Sequence, residues 1–108
     1  MTRPMTKQRR ERIDNRKKLQ EWSKEIRKDG VCEVCGATKN LDSHHLLQKE
    51  YWPEHKLNLN NGIALCKRCH KFGKFAFHKN SIWSSDWLEK NRPDKYDWAW
   101  EVMNGLGR

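Results

Sequence analysis

The sequence predicts a small α+β fold: two short strands and a helix around bound metal, with helices before and after. Three observations carry this reading. Two Cys-x-x-Cys pairs, Cys32 with Cys35 and Cys66 with Cys69, bracket the middle of the chain. A short, partly apolar segment, 41–47, and a brief apolar run, 63–65, lie between the pairs. The flanks, 1–30 and 81–108, have helical composition. The segments divide as a basic N-terminal helix (1–30), a metal-binding core (31–80) and a C-terminal helical extension (81–108), together one domain.

At 108 residues and 35% hydrophobic content the chain can build only a modest core, and cores of that size need a staple. The paired cysteines supply one. Met1-Thr2-Arg3-Pro4 leads into charged residues without the apolar stretch of a signal peptide, and no run approaches the ~20 apolar residues that span a bilayer. The expectation is a cytoplasmic protein with no membrane partner. In a reducing compartment, paired Cys-x-x-Cys motifs read as zinc ligands ahead of disulfides. The formal net charge of +9 suits a polyanion, most obviously nucleic acid, although solubility alone also explains it.

In chain order, 8–28 reads as a helix. It is poor in β-branched residues, has no glycine before Gly30, and places Leu19, Trp22 and Ile26 on one narrow stripe. Its basic face fits phosphate contact and plain solvation equally. The segment 31–36 is a tight turn presenting two thiolates, 41–47 a strand, 48–59 a loop around Pro53, and 63–65 the return strand. Residues 66–77 read as a helix carrying the second cysteine pair at its start. Helices follow over 81–91 and from Pro93 to about residue 104, with proline suited to a first helical turn. Trp83, Trp87, Leu88, Tyr96, Trp98, Trp100, Val102 and Met103 read as core rather than as a stacking platform.

The doublet His44-His45 carries the chemistry. Cutting a phosphodiester needs an ion to offset charge on the phosphate and a base for water, and histidine suits the second task. Neighbouring residues of a strand point to opposite faces, so one histidine can meet a metal while the other acts separately. His70 follows the return strand and can reach back to the same ion.

Cys32-x-x-Cys35, His44-His45-Leu46 and Asn61-Gly62-Ile63-Ala64-Leu65-Cys66-x-x-Cys69-His70 resemble the HNH endonucleases, in particular the zinc-stapled members of phages and bacteria. The resemblance covers about residues 31–80 and implies a ββα-metal, treble-clef-like core that cleaves DNA. Carried over by position, it makes His44 a metal ligand, His45 the general base, Asn61 the residue that steadies the loop and orients the base, and His70 a second ligand. Cys32, Cys35, Cys66 and Cys69 match the structural zinc site, away from the catalytic ion.

One departure concerns the last ligand. Many members have a histidine three or four residues beyond the Cys-His, where this chain has Gly73 and Lys74. The next, His78, would sit about 12 Å further along an unbroken helix, too far to share an ion with His70 at about 2 Å bonds. His78-Lys79-Asn80-Ser81 resembles the arrangement in other members where a histidine precedes the next helix. His78 is therefore read as a ligand, with a chain bend required between residues 72 and 77. Asp42 reads as a loop acid and His55 is assigned no role. Arg16, Lys67, Arg68, Lys71 and Lys74 are candidate nucleic-acid contacts.

Cofactors expected are a structural zinc and a catalytic divalent cation, with magnesium, manganese, nickel and zinc all open. The expected partner is DNA in a bacterial or phage-infected cell. The resemblance also permits a place in a phage terminase or packaging complex. The alternatives to a nuclease are a non-catalytic zinc-stapled DNA-binding module and an accessory subunit of such a complex.

Overall fold

In the computed structural model, which describes residues 6–105, two strands form the centre. β1 (Leu41–His45) pairs antiparallel with β2 (Gly62–Cys66), Leu41 opposite Cys66 and His45 opposite Gly62. Every residue of β2 is buried and none of β1 fully so. Ile63 and Leu65 are completely enclosed, and around them pack Cys32, Cys66, Phe77 and Leu88.

Three α-helices surround this pair. α1 (Lys7–Ile26) begins at Thr6, whose hydroxyl accepts from Arg9 N at 3.2 Å, a cap of the usual type. The helix lays Trp22, 5% exposed, with the half-buried Leu19 and Ile26, along one side. This is the stripe the sequence predicts. α2 (Ser81–Asn91) is capped by Asn80, which accepts from Trp83 N at 3.0 Å. α3 (Pro93–Met103) opens on proline, whose missing N–H costs nothing there. Arg92 joins the two helices and pairs with Glu33, whose other oxygen accepts from Ala64 N at 3.3 Å. The first cysteine turn, β2 and the start of α3 are thus tied through one carboxylate.

The segment 66–77 departs from the single helix expected. It makes one wide turn, Arg68–Phe72, closed by Gly73 N donating to Arg68 O at 2.7 Å. A Cβ on Gly73 would sit 2.7 Å from that same oxygen, so the turn can close only on glycine. The chain then doubles back: Phe77 N donates to Cys69 O at 2.8 Å and His78 N to His70 O at 3.1 Å. The bend required between residues 72 and 77 is present. The expected strand 41–47 ends two residues early at His45, because Leu46 and Leu47 turn to bond Asn61. Trp100 and Met103, expected in the core, are 47% and 52% exposed. Trp83, Trp87 and Tyr96 do pack on it. No described helix is long and apolar enough to cross a membrane.

Candidate metal centre

The first cluster is built by two turns at one end of the strand pair. Cys32 and Cys35 come from the turn after α1, where Cys32 N donates to Ala37 O at 2.7 Å and Gly36 N to Cys32 O at 2.9 Å. Gly36 takes φ +80°, a conformation that favours glycine. Cys66 ends β2 and Cys69 lies in the wide turn. The four sulfurs lie within 4.8 Å of one another, and Cys35 Sγ to Cys66 Sγ is 3.6 Å. A tetrahedral zinc with ~2.3 Å bonds spaces its sulfurs about 3.8 Å apart, so the four thiols fit a structural zinc.

The second cluster is His44, His70 and His78, whose ring nitrogens also lie within 4.8 Å. His44 reaches it from β1, His70 from the wide turn and His78 from the returning chain. Burial, then the charges of His70, His78 and the adjacent His45, pushes the His44 pKa down to about 3. At neutral pH it is uncharged and its lone pair is available, as a ligand requires. His70 Nδ1 lies 2.9 Å from Asp42 Oδ2. His70 Nδ1–H therefore donates to Asp42, which leaves the lone pair on His70 Nε2, facing His78 Nε2 at 2.9 Å. That spacing suits two ligands of one ion, or a ring N–H···N contact. A carboxylate behind a ligating imidazole fixes its tautomer and raises its basicity. The other Asp42 oxygen is held by Lys67.

Asp42 corrects two sequence expectations. It lies on β1 rather than in a loop, and it orients His70. Lys67, read as a nucleic-acid contact, spends its charge on Asp42. Strand alternation was the available signal: Asp42 and His44 stand two apart, on one face.

His45 points away from its neighbour. Its Nε2 lies 2.9 Å from Lys56 O. A carbonyl can only accept, so Nε2 carries the proton and Nδ1 keeps the lone pair. Burial lowers the His45 pKa, against the raising effect of the Lys56 carbonyl. The ring is thereby held neutral, the state of a general base.

Asn61 is completely enclosed. Its Oδ1 accepts from Leu47 N at 2.6 Å, and its Nδ2 donates to Leu47 O and His55 O at 3.1 Å each. It pins both ends of the loop that presents the Lys56 carbonyl to His45. The turn at 58–61 is clamped from both flanks, Trp22 Nε1 donating to Asn58 O at 2.9 Å and Lys95 Nζ to Leu59 O at 2.8 Å. Neither flank carries a local motif for this. His55, given no role, supplies a carbonyl to Asn61 and sets its ring edge-on to Trp98, centroids 5.4 Å apart.

His44, His45, His70 and His78 all line one cleft of about 1000 Å³, together with Lys49, Tyr51, Lys71 and Trp100. Of the basic contacts expected from sequence, Lys71 lines this cleft, while Arg16, Arg68 and Lys74 are exposed outside it.

Residues 32–72 match the family model of the HNH endonucleases. This segment of the chain is similar to the HNH endonucleases. No curated protein and no solved structure matches the chain. The HNH match takes in the four cysteines, His44, His45, Asn61 and His70. His78, α1, α2 and α3 lie outside it, so the third histidine of the cluster comes from chain beyond the matched HNH segment. The match points to a nuclease-type or DNA-binding function with a metal site.

Proposed function

We propose that this protein is a metal-dependent endonuclease that hydrolyses phosphodiester bonds of DNA. One observation carries the proposal: a neutral histidine with an assigned lone pair, His45, shares a cleft with three histidines able to hold an ion. His44, His70 and His78 would hold a divalent cation, whose chemistry there would be to offset negative charge on the phosphate and the leaving oxygen. His45 takes a proton from the attacking water at Nδ1, while Nε2–H stays bonded to Lys56 O. Asn61 keeps that carbonyl in place through the loop. Asp42 holds His70 in its ligating tautomer. Lys49 and Lys71 contact the phosphate backbone at the cleft, and Arg16, Arg68 and Lys74 add charge outside it. The histidine set would accept magnesium, manganese, nickel and zinc to differing degrees, imidazole suiting nickel and zinc and oxygen donors suiting magnesium and manganese, and the four cysteines would keep zinc for structure.

A purely DNA-binding zinc module needs the cysteines and the charge but neither His45 in its fixed tautomer nor the histidine cluster. The test is nicking of supercoiled plasmid with each of the four metals, with and without EDTA. The parent nicks and His45→Ala does not, both retaining structural zinc. If both are inert with every metal yet bind DNA, the binding module or a partner-dependent role in DNA packaging takes the place of the nuclease.

A further inference from the structure

We propose that Trp22, on the helix before the HNH segment, is the positioning residue for His45. The inference rests on the reading of His45 as the base. The indole of Trp22 lies flat on the imidazole, centroids 4.0 Å apart and planes 7° apart. The same indole donates Nε1–H to Asn58 O at 2.9 Å, two residues from the Lys56 carbonyl that accepts from His45. One side chain therefore sets the plane of the ring and holds the segment carrying its acceptor.

The need for such a support follows from geometry. A single hydrogen bond at Nε2 leaves the imidazole free to swing about that bond, and the terminal torsion of histidine is soft. A flat wall against the ring face removes the swing. The strand pair makes room for the wall: the residue opposite His45 is Gly62. A Cβ there would lie 2.6 Å from Trp22 Cζ2 and 2.6 Å from Ile26 Cδ1. α1 is locked in register at the next positions, with Ser43 Oγ donating to Ser23 O at 2.7 Å and Ser23 Oγ to Ser43 Oγ at 2.9 Å. None of these contacts touches the four cysteines.

The experiment compares the zinc-loaded full chain with Trp22→Phe, Trp22→Leu and His45→Ala, separating kcat from KM on an oligonucleotide duplex under saturating manganese. Trp22→Leu lowers kcat by about tenfold to a hundredfold, the scale of a misplaced reacting group, with KM within about twofold. Trp22→Phe, which keeps a ring face, recovers most of that loss. In the parent, the His45 ring protons are shifted upfield by the stacked indole, and long-range proton–nitrogen spectra show the Nε2–H tautomer. Trp22→Leu with the parent's kcat, or a parent without the upfield shift, overturns the proposal. If Trp22→Leu does not retain zinc, the ring shift of the parent and the kcat of Trp22→Phe decide it. An inert parent removes the nuclease reading, and the ring shift and tautomer then still judge Trp22 by themselves.

Discussion

Replacing Asn61 by alanine removes the side chain that pins the loop between Leu47 and His55. Its amide satisfies the N–H and C=O of Leu47 and the C=O of His55, at 2.6, 3.1 and 3.1 Å, in a site with no solvent exposure. Alanine reaches none of them. A buried backbone group left without a partner costs about 1–3 kcal/mol. His55 O keeps its bond from Asn58 N at 3.1 Å, so two groups, the N–H and C=O of Leu47, are orphaned, at a cost of about 2 kcal/mol at least. Against a typical total of about 5–15 kcal/mol, that is a large share. With a shift of about 4–8 °C per kcal/mol for a domain of this size, Tm falls by about 8 °C or more. The assay is guanidinium and thermal unfolding of zinc-saturated protein, followed by circular dichroism. Asn61→Asp, which keeps the acceptor for Leu47 N but turns the two donor contacts into repulsion, is destabilised comparably. A loss below about 1 kcal/mol for Asn61→Ala would refute the reasoning, because the loop would then be held by something other than this amide.

Asp42→Ala leaves His70 without its orienting carboxylate, and affinity for the second divalent ion falls about 10- to 100-fold while structural zinc stays; calorimetric titration of manganese measures it. Gly62→Ala forces a Cβ to within 2.6 Å of Trp22 and Ile26, and the overpacking costs about 1–3 kcal/mol as a lower denaturant midpoint. For pH, burial holds the His45 pKa below its ordinary 6.5. A base works when unprotonated, so cleavage is full above that lowered pKa and is lost as pH falls through it. The acid limb of kcat/KM therefore has its midpoint below 6.5, and a midpoint above 6.5 contradicts the burial argument.

What was legible in the sequence was what is written locally. Cys32 with Cys35, and Cys66 with Cys69, announce themselves by spacing. The doublet His44-His45 gives two faces through strand alternation. Pro93 marks the start of α3, because proline suits a first helical turn. The bend before His78 followed from length, since a straight helix would carry it away from His70. Its form did not follow: the wide turn closing on Gly73 depends on a contact with Arg68 O, which no periodicity encodes. The missing parts of the site are long-range. Asp42 meets His70 across 28 residues, and Trp22 reaches Asn58 and Lys95 reaches Leu59 across 36 each. Each is a side chain whose partner is chosen by packing of distant segments. Trp100 was misread as core because composition cannot distinguish a ring that packs on the strands from one that lines a cleft.

Everything proposed for His45 requires an ion held by His44, His70 and His78 beside it. Pulsed electron paramagnetic resonance of manganese bound to the zinc-loaded protein counts the coupled imidazole nitrogens directly. The expected result is coupling to three histidine nitrogens in the parent and one fewer in His78→Ala, with the structural zinc unchanged in both. A parent that binds no manganese, or a nitrogen count that His78→Ala leaves unaltered, would contradict the histidine-held ion.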